Sequence, residues 1–328
     1  MRILFITATR VGDAVLSTGL LAHLLQRNPD ARVTIACGPA AAGLFEAVPG
    51  LERVIVLEKK RYSMHWLHFW AATVTRLWDV VVDLRNAPLS YVIPCRKAWH
   101  LGGQDMSAHR VVRMAAAMGL RETPPSPRVW TTEQHQRRAR EVLGGATGVT
   151  VPILALGPVA NWRPKTWQAE RFVELALKLT GPGGILPNAR IAVFGTREER
   201  AQAQPLFDGL PPERTLDLMG TLDLLEIQAC FEQASLFIGN DSGLMHMAAA
   251  SGVPTLGLFG PSREEHYAPW GDVTLAVRGD LGYDEVFPKD YDYRKADGLD
   301  LMSGLSVAQV DEAAIALWQQ AEAAKNAE

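Results

Sequence analysis

The densest group of residues able to do chemistry is Gly239-Asn240-Asp241-Ser242-Gly243, with His246 three positions on. An apolar, strand-like run at 236–238 precedes it and helical periodicity follows, so small polar residues lead straight into a helix amino terminus. Unsatisfied backbone N–H groups and the positive end of the helix dipole favour an anion there, a phosphate above all, and Gly243 lets a ligand approach the backbone closely. The same residue types also cap helices, because the side chain of Asp241 or Ser242 can accept a bond from a first-turn N–H. Local physics leaves both readings open.

A second group is basic and aromatic. Lys59-Lys60-Arg61 is followed by Tyr62, Trp66, Phe69 and Trp70, a combination suited to an anionic lipid surface or a lipid-linked acceptor. The spacing of Trp66, Trp70, Val74 and Leu77 equally describes one helix face packed into a core. Arg85, Arg96, Lys97, Arg110 and Arg113 add to the positive balance of this region. Residues 1–150 carry 19 Lys and Arg against 11 Asp and Glu, whereas 151–328 carry 14 against 25, so the halves are +8 and −11. This split points to an anionic partner for the first half, with an ordinary solvated surface as the alternative.

Several chemistries are excluded. The first βα turn has a single glycine, Gly12, and the second strand ends in Cys37-Gly38-Pro39 without a ribose-binding acid, so no dinucleotide fingerprint is present. No P-loop, HExxH or nucleic-acid motif occurs. Asp290-Tyr291-Asp292 has the form of a metal-binding DxD but sits late in a charged loop, and is read as solvated. His65 and His68 lack a carboxylate or cysteine partner at suitable spacing, so no metal or other cofactor is expected. Cys37, Cys95 and Cys230 are far apart with no CxxC, which fits a reducing compartment.

The elements that must position these residues read as repeated βαβ units. Strand-like runs at 3–6, 33–36, 54–56 and 80–82 alternate with helical periodicity at 14–26 and 66–77. Pro124, Pro125 and Pro127 and the glycines of 144–148 interrupt the pattern, which restarts with a strand at 153–156 and places a domain boundary near 150. The second half continues with helix 169–180, strand 191–194, helices 198–207 and 222–233, strand 236–238, helix 244–250 and strand 255–259. A last helix starts at Ser306, whose spacing to Gln309 forms a capping box, and is expected to pack back on the first domain. The length of 328 residues suits two domains at roughly 100 to 200 residues each, and 48% apolar with 21% charged residues is globular composition. The fold class expected is α/β, two doubly wound domains facing a cleft, with ligands beyond the carboxyl ends of the strands. The opening MRILFIT reads as a strand, so no export is expected, and the uncharged run 242–262 reads as helix, turn and strand and not as a membrane span.

The stretch GNDSGLMHMAAASGVPTLGLFGPS resembles the signature of the family-9 glycosyltransferases, the ADP-heptose:lipopolysaccharide heptosyltransferase family. Val11-Gly12-Asp13 resembles that family's first loop, Lys165-Thr166-Trp167 its Lys-x-Trp, and Gly195 to Ala201 its Gly-rich turn and Glu-containing helix. The resemblance covers nearly the whole chain. It implies a GT-B architecture with an acceptor-binding domain over 1–150 and a nucleotide-sugar-binding domain over 151–328. It further implies that Asp13 is the general base and that Lys165 meets the charge of the leaving diphosphate. Asn161, Glu198 or its neighbour Glu199, Asp241, Ser242, Gly243 and His246 would bind the donor. Gly12, Lys59, Lys60, Arg61, Arg85 and Arg113 would face the acceptor. The alternative for Asp13 is an amino-terminal cap on the helix from Ala14. The loop Pro158-Val159-Ala160-Asn161 lacks the paired hydroxyl residues usual in the family before the lysine, which bears on the identity of the donor.

The resemblance implies an inverting, metal-independent enzyme moving a heptose-like sugar from an ADP-sugar to the lipopolysaccharide inner core. Its partners would be the nucleotide-sugar and an anionic glycolipid, its location cytoplasmic and peripheral on the inner membrane, and its oligomeric state is open. The alternatives are a GT-B transferase with another NDP-sugar or glycan acceptor, and a non-catalytic sugar-nucleotide binding protein.

Overall fold

A computed structural model describes residues 1–58, 64–102, 105, 107–144, 151–287 and 299–326. The candidate residues Lys59, Lys60 and Arg61, with Tyr62 and the Asp290–Asp292 motif, lie outside the described residues. The chain divides into two compact units, Met1–Trp130 and Thr131–Glu328. The division thus falls at residue 130 and not near 150: helix α4 (Glu133–Val142) packs on α7 (Leu224–Phe231) of the second unit.

The first unit is built on five parallel strands, β1 (Arg2–Ile6), β2 (Arg32–Cys37), β3 (Leu51–Val56), β4 (Trp78–Asp83) and β5 (Cys95–His100), in the order β3-β2-β1-β4-β5. β1, β2 and β4 are Val- and Ile-rich because both faces of a central parallel strand are covered. Helix α1 (Val11–Arg27) follows β1 and buries Ala14, Val15, Leu21 and Leu25, and it packs on α3 (Arg110–Ala116). It begins three residues earlier than the periodicity suggests, so Asp13 lies within its first turn and Arg10 holds the cap position. Helix α2 (Met64–Thr73) buries Phe69, while Trp66 and Trp70 pack half-buried against a cluster of Leu4, Ile6, Trp78 and Val81. The expected helix continues to 77, but Leu77 is 54% exposed beyond the helix end.

The second unit has six parallel strands, β6 (Ile153–Gly157), β7 (Arg190–Val193), β8 (Thr215–Asp217), β9 (Leu236–Asn240), β10 (Thr255–Phe259) and β11 (Thr274–Arg278), in the order β11-β10-β9-β6-β7-β8. The chain winds outward from β6 on one side and returns to its other side at β9, which makes the β6/β9 seam the topological switch point. Gly157 and Gly239 face each other there, and a Cβ on Gly239 would press on the Phe237 ring and on the Gly157 carbonyl. Helix α5 (Ala169–Thr180) buries Phe172, Leu175, Ala176 and Leu179, one face at helical spacing.

Helix α6 (Gln204–Gly209) is shorter than expected, and residues 197–203 form turns. Pro205 explains the later start, because proline fits only the first turn of a helix, where its missing N–H costs nothing. Helix α8 (Gly243–Ser251) ends at Gly252 with φ of 83°, so the run 242–262 is the expected helix, turn and strand. Among the described residues no helix is long and apolar enough to cross a membrane. The last helix, α11 (Val307–Lys325), carries the expected capping box of Ser306 and Gln309. Within the second unit it packs against α5, β10 and β11. Leu317 is fully buried in that packing. Leu317→Ala should cost about 2–5 kcal/mol and lower the midpoint of urea unfolding; an unchanged midpoint would mean that α11 is not part of this core.

Candidate active site

At the switch point, β9 ends in Asn240 and the chain turns through Asp241 and Ser242 into α8. The neighbouring strand β6 is followed by the loop holding Asn161, which is exposed, and then by a single 3-10 turn, Arg163–Lys165. What holds that loop is Trp167. Its ring is fully buried, edge-on to Phe172 at 4.9 Å, and its Nε1–H donates to the Leu305 carbonyl at 2.8 Å. Its backbone N–H donates to Asn240 Oδ1 at 3.0 Å, which ties the loop after β6 to the end of β9.

This double anchoring sets Lys165, two residues upstream, against Asp241: Nζ lies 2.5 Å from Oδ2. The Asp241 side chain is 7% exposed and the Lys165 side chain 25%. The second oxygen of Asp241 lies 4.0 Å from Nε2 of the buried His246 on α8. One carboxylate therefore stands between the lysine and the histidine. Ser242 occupies the N-cap position of α8, yet its side chain makes no capping bond. Its Oγ is buried without a hydrogen-bond partner among the described residues, as are Asn240 Nδ2 and, beyond the end of β10, Ser262 Oγ. Buried polar atoms are nearly always partnered in folded proteins, so such a group marks space that a ligand or water fills. The simple capping reading is not what the fold adopts. The first turn of α8 is left without a side-chain cap, and Asp241, paired with Lys165, directly precedes the cap position in the chain.

On the far side of β6, strand β7 leads into Gly195. A Cβ there would run into the Met219 side chain and come to 3.5 Å from Glu199 Oε2. Glu199 is held in place by the N–H of Thr196, at 2.9 Å, and its Oγ1, at 3.0 Å. Of the two glutamates weighed from the sequence, Glu199 thus sits against the glycine turn, while Glu198 is exposed. Met219, 5% exposed, adds an apolar wall beside Gly195 and Val159, and Gly220 with φ of 66° lets the following backbone pass close to Arg197. Met219 escapes a reading of the sequence for charged and nucleophilic residues, and its one signal is position just past the carboxyl end of β8. Asn240 and Ser262 lie inside the stretch that resembles the family signature but carry no assigned role there.

In the first unit, Asp13 lies in the first turn of α1 and its Oδ1 is 3.5 Å from Arg110 Nε on α3. The pair is partly exposed, at 26% for Asp13 and 18% for Arg110. Arg110 was read only as general positive charge, yet it is the residue the fold brings to Asp13. Gly12 is half-buried beside it. Arg85 follows β4, with its guanidinium 5.2 Å from the Trp66 ring centre, and burial holds its pKa below the usual arginine value despite the neighbouring Asp83 and Cys37. Arg113 is 8% exposed, inside the unit and away from an open face. The thiols of Cys37 and Cys230 are both pushed up to about 12 by burial, and the three cysteines are free. Among the described residues no cluster of three His, Cys, Asp or Glu side chains could hold a metal ion.

Two doubly wound parallel sheets, with polar loops at the carboxyl ends of their strands, give an α/β fold of the GT-B class. The profile of "Glycosyltransferase family 9 (heptosyltransferase)" matches residues 92–292. The chain belongs to glycosyltransferase family 9 and is a glycosyltransferase by that membership. It is 23% identical over 322 residues to the lipopolysaccharide heptosyltransferase 2 of Salmonella typhimurium, covering 87% of this chain and 90% of the relative. In fold it is similar to the family-9 glycosyl transferase of Veillonella parvula, with a TM-score of 0.76, 21% identity and 97% of each chain covered. It is also similar to the ADP-heptose lps heptosyltransferase II of Escherichia coli, with a TM-score of 0.74, 21% identity, and 98% of this chain and 100% of that one covered.

The phosphate site is testable before any sugar is supplied. Inorganic pyrophosphate at about one hundred times its Kd should stabilise the wild-type protein by about 2.7 kcal/mol, seen as a higher thermal midpoint. Lys165→Ala should lose most of that rise. A wild-type midpoint that pyrophosphate does not move sinks the assignment.

Proposed function

We propose that this glycosyltransferase transfers heptose from ADP-heptose to the inner core of lipopolysaccharide, with the donor held by the second unit and the acceptor by the first. The observation that carries the reading is the Lys165–Asp241 pair beside an uncapped α8. It is a site for a diphosphate whose charge grows as the sugar leaves. The names of the relatives support heptose, ADP and lipopolysaccharide as the particular chemistry.

The reaction is a single displacement. An acceptor hydroxyl attacks the anomeric carbon, the bond from that carbon to the phosphate oxygen breaks, and the electron pair leaves on ADP. Asp13 takes the proton of the attacking hydroxyl, and the Arg110 guanidinium orients its carboxylate. Lys165 and the α8 N–H groups face the leaving diphosphate, and their attraction strengthens as the bond breaks, so they favour the transition state over the bound donor. The diphosphate competes with Asp241 for the lysine, and the released carboxylate oxygen becomes an acceptor for sugar hydroxyls. Glu199 is placed to accept ribose hydroxyls, and Met219 to pack on the base. One displacement with one base inverts the anomeric centre, and the lysine with the helix terminus takes the part a metal ion plays elsewhere.

The acceptor side of the reading rests on charge and exposed surface. The first unit, Met1–Trp130, carries 16 Lys and Arg against 9 Asp and Glu, a balance of +7. Met64 and Leu67 on α2 are 43% and 50% exposed, and the edge strand β5 presents exposed Arg96 and Lys97. A basic surface with protruding apolar side chains suits an anionic glycolipid and peripheral contact with the cytoplasmic face of the inner membrane.

Two measurements test this reading. The thermal midpoint with ADP, UDP, GDP or CDP at one concentration should rise most with ADP; a preference for another nucleotide would replace the donor and keep the enzyme class. Asp13→Ala should lower kcat by about 10²- to 10⁴-fold while the shift with ADP is kept. Wild-type turnover from that variant, folded, would remove the base from Asp13.

A further inference from the structure

We infer that Tyr91 and His100 form a sugar-stacking subsite for the acceptor at the carboxyl edge of the first sheet, held in place by a buried relay through Ser90 and Asp83. The inference rests on the reading of the first unit as the acceptor domain, and it gives that domain a specific platform.

The register of the sheet puts the parts together. Ile6, Asp83 and His100 are level with one another across β1, β4 and β5, so the platform lies on the same edge from which the chain runs on to Asp13. Asp83 is fully buried and its carboxylate accepts from Arg85 N at 2.8 Å, Ala87 N at 2.6 Å and Ser90 Oγ at 2.6 Å. These bonds fold the loop after β4 back on itself. His100 Nε2 is 3.1 Å from Ser90 Oγ. The serine hydroxyl has one proton, and it faces two acceptors, Asp83 Oδ2 and the Ala87 carbonyl at 2.8 Å. The bond to His100 must therefore run from Nε2–H to Oγ, which fixes the ring's orientation and leaves Nδ1 of the neutral imidazole as an acceptor.

The ring so fixed stacks on Tyr91, with centroids 3.9 Å apart and planes 7° from parallel. Tyr91 is 63% exposed and Val92 beside it 59%. A stack that served only the core would bury the tyrosine. Here the buried chain of Asp83, Ser90 and His100 instead holds one face of the Tyr91 ring and leaves the rest open. A rigid aromatic face with a hydrogen-bond acceptor at its side is what a pyranose ring needs, apolar C–H face against the ring and hydroxyls at the rim. Two inter-strand spacings separate β5 from β1, about 10 Å, which is the reach of a sugar unit or two from the attacking hydroxyl.

The test uses the full chain with ADP-heptose and a deacylated inner-core oligosaccharide. Tyr91→Ala removes an exposed side chain and should fold. Its KM for the oligosaccharide should rise about tenfold, as expected for a lost aromatic contact, while its KM for ADP-heptose and its thermal shift with ADP stay as in the wild type. Tyr91→Phe keeps the ring and should recover most of the acceptor affinity. Ser90→Ala frees the imidazole and should raise the acceptor KM several-fold with the donor KM unchanged. A folded Tyr91→Ala enzyme with the wild-type acceptor KM overturns the subsite. If the wild-type protein transfers no heptose, the functional reading has failed separately, and calorimetric binding of the oligosaccharide without donor decides. Weaker binding to Tyr91→Ala than to the wild type supports the subsite; equal binding, or none to either protein, overturns it.

Discussion

The hydrogen bond from the Trp167 N–H to Asn240 Oδ1 is the contact on which the placing of Lys165 against Asp241 depends. It is buried, and both residues are fully buried, the one giving its backbone N–H and the other its side-chain oxygen. Leaving either group without its bond in that environment would cost about 1–3 kcal/mol. Because it joins the loop after β6 to the end of β9, it fixes the separation of Lys165 from Asp241 across the one seam where the sheet's winding reverses. The Lys-x-Trp spacing is then a lever: the tryptophan is fastened in the core and the lysine projects from it to the edge.

The Lys165–Asp241 pair is a poised feature and not a source of stability. Taking a carboxylate and an ammonium out of water costs several kcal/mol per ion, and their mutual attraction often does no more than return it. What the pair provides is a cation held at one place beside the α8 amino terminus, with its counter-charge able to be exchanged for that of a ligand. The Ser242 hydroxyl and the Asn240 amide nitrogen, both buried without a hydrogen-bond partner among the described residues, flank Asp241 in the chain.

The first unit solves its problem differently. Asp13 stands 3.5 Å from a partly exposed arginine, and the loop after the neighbouring strand is organised by Asp83, a buried carboxylate spent on shaping that loop. Two acids a strand apart thus have opposite roles, set by whether backbone N–H groups consume their lone pairs. The central strands were readable in advance because a parallel strand covered on both faces must be apolar throughout. The strands that were not, β5, β8 and β11, are all at sheet edges, and sequences such as CRKAWH carry too little apolar pattern to mark them.

The amino-acid sequence by itself determined the fold class, the central strands, the capped last helix, and the candidate loop from Gly239 to His246, because periodicity, caps and glycine spacing are local signals. It also carried the residues by which the family is recognised. Only the tertiary structure decided that Asp13 stands inside its helix beside Arg110, that Ser242 does not cap α8, and that Asp241 is paired with Lys165. It alone placed Glu199 rather than Glu198 against Gly195, and moved the division of the chain to Trp130. The reason is the same in each case: these are choices among partners far apart in the chain, made by strand order and side-chain packing, and no local pattern records which partner a polar group will meet.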